Sequence, residues 1–99
     1  MTMFETLKQT GLPVAHNAFD RAPAFPCLVY TGTGQEAFEA DNTFYVRQNT
    51  YRIEYYFKYK DEDAETAFED FLLGQNIKYV KSEDTYIDND QVFVIYYEI

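Results

Sequence analysis

The sequence is poor in the residues that make chemistry easy to recognise. It has one cysteine, one histidine and no tryptophan. A lone cysteine, Cys27, excludes an internal disulfide, and together with His16 it is a thin metal set. Cys27 stands beside Leu28 and Val29 and reads as a small buried apolar residue in a strand. The sharper reading, a reactive Cys27–His16 pair, lacks a third orienting group in the spacing. Positive charge is also scarce: Lys and Arg total 8 against 17 Asp and Glu, a formal net charge of −9. That balance excludes nucleic-acid phosphate as a direct partner, since such binding rests on Lys and Arg. It also argues against an anionic membrane surface. No apolar run approaches the roughly 20 residues that span a bilayer. The opening "MTMFETLKQTG" has neither the basic start nor the apolar stretch of a signal peptide. These absences predict a soluble protein that stays in the cytoplasm where it is made.

Catalytic signatures are absent in the same way. There is no HExxH, no P-loop and no nucleophile elbow. Gly32-x-Gly34 falls short of the full phosphate-cradling patterns in an acidic neighbourhood and reads as a turn. Carboxylates pair up at Asp61–Asp63, Glu69–Asp70, Glu83–Asp84 and Asp88–Asp90. Asp88-Asn89-Asp90 begins like a calcium loop but has neither the Gly nor the Glu that such a loop requires further on. All four read as solvated turns or helix starts. The sequence predicts no enzyme, no cofactor and no metal.

What is abundant is aromatic: 10 Tyr and 9 Phe make 19% of 99 residues, a length that suits one domain. In "TYRIEYYFKY", residues 50–59, the odd positions Tyr51, Ile53, Tyr55, Phe57 and Tyr59 form one apolar face. Arg52, Glu54, Tyr56 and Lys58 form the other, with a tyrosine among its charges. "QVFVIYYEI", 91–99, is apolar on both faces: Phe93, Ile95, Tyr97 and Ile99 on one side, Val92, Val94 and Tyr96 on the other. Such a strand needs cover on both sides.

The remaining elements follow from local signals. Residues 3–10 predict a short helix, with Thr2 and Glu5 at capping-box spacing and Gly11 at its end. Pro13, Pro23 and Pro26 make residues 12–26 an extended connector. Residues 27–32 predict a strand, 31–42 a turn region, 43–47 a short strand, and 50–59 the main strand after a break at Gln48–Asn49. Residues 61–74 predict a long helix with Ala64, Ala67, Phe68, Phe71 and Leu72 on one face and Gly74 as the stop. Residues 77–87 predict a strand and 88–90 a turn. The expected fold is α+β: a mainly antiparallel sheet of four to five strands, one long helix and one short N-terminal helix.

If both helices lie on one side of the sheet, the other side keeps Tyr56, Tyr96, Val94 and Arg52 for contacts with other proteins. The competing expectation is that the 12–26 connector folds over this side, with Phe19 and Phe25 as its cover.

Several stretches carry a family resemblance. They are Gly11-Leu12-Pro13-Val14-Ala15-His16, Phe25-Pro26-Cys27-Leu28-Val29-Tyr30, Ala40-Asp41-Asn42, Lys60-Asp61 and the terminal Tyr97-Glu98-Ile99. Together the chain resembles small neck proteins of long-tailed phages of Gram-positive bacteria, the tail-terminator or tail-completion components. It departs from their pattern at His16, where an aromatic is usual, and at Cys27. The resemblance implies a structural protein of the virion, in the host cytoplasm during assembly. It implies a hexameric ring that caps the tail tube, with the tail-tube protein and a head-completion or connector protein as partners. A ring subunit needs two different lateral faces. The rival reading of the composition is an acidic phage-encoded inhibitor that imitates DNA.

Overall fold

The computed structural model describes residues 2–40 and 44–99, and the side chains of residues 2–37 and 47–99. The chain begins with helix α1, Met3–Lys8. Its start is fixed as expected: the Thr2 hydroxyl accepts from Glu5 N while the Glu5 carboxylate accepts from Thr2 N, both at 3.1 Å. Gly11 follows with φ 81°, a conformation that suits glycine. Three residues of the connector, Val14–His16, form strand β1.

Two 14-residue strands come next, β2 (Cys27–Ala40) and β3 (Phe44–Phe57). They pair antiparallel from Cys27↔Tyr56 to Ala40↔Phe44. Helix α2 (Glu62–Gly74) is capped by Asp61, whose carboxylate accepts from Ala64 N at 3.1 Å. Short strands β4 (Val80–Lys81) and β5 (Thr85–Ile87) lead to β6 (Val92–Glu98). The order is β1-β2-β3-β6-β4, with β5 also on β6, and only the β1–β2 pair is parallel.

The architecture is therefore α+β with a mostly antiparallel sheet. It differs from expectation in having six strands, because the connector supplies one short edge strand and the 77–87 stretch breaks into two, while the two strands expected between 43 and 59 are one. The second helix is 13 residues, not long. Its end also differs: Gly74 is the last helical residue, and the left-handed residue is Asn76, φ 61°.

The largest departure is at residues 31–50. The expected turn and the expected break at Gln48–Asn49 are both continuous strand. The glycines serve a bulge: the register runs Gly32↔Tyr51, then Gly34↔Thr50, leaving Thr33 as the extra residue. Beyond it Thr33 Oγ donates to Thr50 Oγ at 2.9 Å and Gln35 Nε2 to Asn49 Oδ1 at 2.8 Å. The strand start expected at residue 43, and Asp41 and Asn42 of the family motif, lie outside the described residues.

The core lies between α2, α1 and one face of the sheet. Leu7, Val14, Leu28, Ile53, Tyr55, Phe57, Phe68, Leu72, Ile95 and Tyr97 form it. Phe68 sits 5.7 Å from the Tyr55 ring and 5.2 Å edge-on from Tyr97, in one cluster with Ile53 and Phe57 and with Phe93 packed against it, so the helix face meets the apolar face of β3 and β6. Ala67 is exposed, not part of the buried stripe, and Tyr59, 86% exposed, lies past the end of β3.

Candidate functional site

Alternation along β3 and β6 sends Arg52, Glu54 and Tyr56, with Val92, Val94, Tyr96 and Glu98, to the side opposite α2. The register sets Tyr56 across from Val94, Glu54 across from Tyr96, and Arg52 across from Glu98. The structure thus brings the four expected interface residues onto one face. That face has two halves with different surroundings.

Near Phe57 the connector does fold over. Phe19 and Phe25 share a groove with Cys27, Val29, Tyr56, Ile87 and Val92. Cys27, Val29, Val92 and Val94 are buried there. Val94 is fully enclosed by its own chain, which corrects its assignment as a contact residue: it supports the face from within. Tyr56 is half-buried at the boundary and its hydroxyl donates to Glu54 Oε1 at 3.2 Å. Burial, and then the Glu54 charge, hold that phenol neutral well above the usual tyrosine range. Burial also pushes the Cys27 thiol up to about 11, so it is a poor nucleophile. His16 lies on the α2 side, its ring 5.1 Å from that of Tyr30, so the sheet separates it from Cys27.

The other half is open. Arg52 and Tyr96 are half-exposed, and Val80 of the edge strand is 71% exposed. With Glu54, Ser82 and Glu98 they line a shallow groove. The Arg52 guanidinium sits 5.8 Å from the Tyr96 ring centroid. Its Nε is buried and has no hydrogen-bond partner among the described residues. Tyr96 is held at its backbone: its N donates to Ser82 Oγ at 2.8 Å, and its carbonyl accepts from Ser82 N at 2.9 Å. A fixed aromatic beside a cation is the residue chemistry of interface centres.

The second exposed feature is the arm formed by the outer parts of β2 and β3. β1 pairs with β2 only at Leu28–Tyr30, and β6 with β3 only at Arg52–Phe57. Tyr51 and Ile99 exchange one further pair of backbone bonds, at 3.1 and 2.9 Å. Past this point, among the described residues, the two strands pair only with each other. Thr33–Ala37 and Arg47–Asn49 are exposed. The arm helps draw the chain out to 51 Å along its long axis, against 27 and 24 Å across. A two-stranded ribbon alone is marginal in water.

A smaller group of carboxylates beside α2 is occupied. Glu65, missed by the sequence reading, is 3% exposed. Lys60 Nζ bridges both its oxygens at 2.9 and 2.8 Å, and Lys81 Nζ reaches Oε1 at 3.2 Å. Lys81 also meets Glu69 at 2.7 Å, and Lys60 meets Asp84 at 3.1 Å. The Tyr97 hydroxyl donates to Glu69 at 2.7 Å. Burial alone raises the Glu69 pKa, but the hydrogen bonds from Lys81 and Tyr97 outweigh it and leave the group below the usual range. Asp61 caps its helix; Asp70, Glu83, Asp88 and Asp90 are exposed. Among the described residues no three His, Cys, Asp or Glu side chains gather as a metal site, and no helix is long and apolar enough to cross a membrane. No family model, curated protein or solved structure matches this chain.

Proposed function

We propose that the chain is a structural, self-associating component of a phage or prophage neck, a tail terminator that caps the tail tube and helps join it to the head. The observation that carries this reading is the pairing of a half-open Arg52–Tyr96 face with a bare hairpin arm on one small subunit. Two unlike surfaces, each incomplete alone, are what lateral contacts in a ring require. The resemblance in the Gly11–His16, Phe25–Tyr30 and Tyr97–Ile99 stretches supports the same reading. Its partners are then further copies of the chain, the tail-tube protein and a head-completion protein, in the host cytoplasm during assembly and in the virion afterwards. A DNA mimic would spread its acids in a phosphate-like surface array, whereas here Glu65 and Glu69 are drawn into ion pairs and others gather at the helix start and at turns.

The test is to mix the purified chain with the tail-tube protein of the phage or prophage that encodes it and to measure tube lengths by electron microscopy. Capped tubes of uniform length, with the chain at one end, are expected. Tubes that grow without limit and never carry the chain would remove the assignment.

A further inference from the structure

We propose that the arms of neighbouring copies pair edge to edge, the β3 edge of one copy against the β2 edge of the next. This deepens the self-association reading and rests on it for the identity of the partner. The pairing geometry itself comes from the arm.

Bonding in an antiparallel ladder alternates between inner and outer residues. Tyr51 bonds outward to Ile99. Continuing that alternation along β3, the backbone groups of Asn49, Arg47 and Tyr45 point away from β2. On β2, Leu28 N bonds outward to Pro13 O and Tyr30 O accepts from Asn17 N. Past the bulge at Thr33, the backbone groups of Gln35, Ala37 and Glu39 point outward. Each edge thus offers a row of donors and acceptors with no backbone partner among the described residues. Sheet proteins usually blunt such edges with proline, lysine or a covering element. The 31–50 segment has neither proline nor lysine, and the bulge at Gly32/Gly34 interrupts only the root of the β2 edge.

The two edges also differ in charge. The arm part of β2, residues 31–40, carries Glu36 and Glu39 and no Lys or Arg. The arm part of β3, residues 44–50, carries Arg47 and no acid. Like edges brought together would set acid on acid or cation on cation; unlike edges bring the strand that carries Arg47 against the strand that carries Glu36 and Glu39. Arms pointing the same way place β3 of one copy antiparallel to β2 of the next. The partner that fits both the free backbone rows and the charges is a second copy of this chain, in a head-to-tail contact that repeats.

Cross-linking between single-site cysteine chains tests this. Cys27 is 2% exposed, so the unsubstituted chain is the silent control. A chain with Asn49→Cys is mixed with one carrying Gln35→Cys, or Ala37→Cys to cover a register slip of two, and oxidised at rising concentration. Mixed cross-links are expected to outnumber both like-with-like products. Dominant 49–49 or 35–35 products mean a two-fold contact and overturn the proposal. So does cross-linking no greater than that of a mixture with cysteines at Asp63 and Asp88, away from the arm. Arg47→Glu on the Asn49→Cys chain should cut the mixed product by about tenfold, and Glu36→Arg with Glu39→Arg on the other chain should restore it. Mixed arm cross-links without capped tubes would remove the neck assignment and leave the pairing intact. Capped tubes without them would do the reverse.

Discussion

β2 and β3 each live in two environments along one unbroken strand. From Leu28 to Tyr30 and from Arg52 to Phe57 they have sheet neighbours on both sides and α2 on one face, with the connector against the other face only towards Cys27 and Tyr56. From Thr33 outward they have no further neighbour strand among the described residues, and their described side chains face solvent. The inner half is held by burial, with Leu28 and Ile53 fully enclosed. The outer half is held by backbone pairing and a few polar cross-strand bonds. The difference teaches that strand length and strand stability are set by different forces: pairing carries the strand on after the core has ended.

The sharpest way to break the comparison is to remove the core. Phe68→Ala should cost about 3–5 kcal/mol, enough to unfold much of a domain this small. Thermal melting followed by circular dichroism checks it; an unchanged midpoint would mean that α2 does not anchor the sheet.

The next effect lies on the rim of the core. Lys81→Met keeps the stem but takes the ammonium from Glu65 and Glu69, which should cost about 1–3 kcal/mol, measured by urea unfolding. The pH profile sharpens it. Glu69 is held below its usual 4.5 when folded, so its contribution is present above that value and is lost as pH falls below it. Lys60 is raised above 10.5 by its hydrogen bond to Glu65, and the Lys81 pairings outweigh the opposing effect of burial. Their contribution is complete below 10.5 and is lost as pH rises beyond it. The acid limb should be shallower in Lys81→Met than in the unsubstituted chain.

How much of this was legible in the sequence follows the same division. The inner half was readable because burial writes a pattern: the odd positions of 51–57 and the stripe of Phe68 and Leu72 fall where expected. The outer half was not. The bulge at Thr33 switches β2 from even to odd positions on the α2 side, Leu28 and Tyr30 before it and Gln35 and Ala37 after it. Alternation therefore fails just where the strand continues, and two glycines there imitate a turn. At the candidate site, alternation was enough to gather Arg52, Tyr56 and Tyr96. It was blind to the full burial of Val94, which depends on how the rest of the chain closes on that face. Glu65 looked like one more solvated charge in an acidic first turn. The available signal was its place in line with Phe68 and Leu72 on the helix, with Lys60 just upstream.

A smaller effect is expected on the open face. Tyr96→Ser should lower stability by no more than about 1 kcal/mol, since its ring is half-exposed, while weakening self-association in sedimentation at equal concentrations. A large loss of stability with association intact would make Tyr96 a core residue and end its interface role.

The smallest effect belongs to the arm. Thr33→Ala or Gln35→Ala removes one exposed cross-strand bond and should change stability by about 0.5 kcal/mol or less. Amide exchange gives the finer reading: Gln35 and Asn49 should exchange far faster than Ile53 and Tyr55 in dilute protein. Equal protection would mean that the two halves open as one unit and that the division drawn above is false.

The register of the hairpin has a consequence for the order in which the chain folds. Ala40 and Phe44 are almost adjacent in sequence, whereas Leu28 and Tyr55 are separated by the whole hairpin. Closing a short loop loses less chain entropy than closing a long one, and hairpins form within microseconds. The arm, which contributes least to the finished molecule, is where zipping is easiest to begin. Pairing that runs inward from Ala40↔Phe44 delivers Tyr30 opposite Ile53 already in register, before β1 or β6 arrives from far along the chain. On this order, lengthening the hairpin connection should slow folding while leaving the unfolding rate almost unchanged.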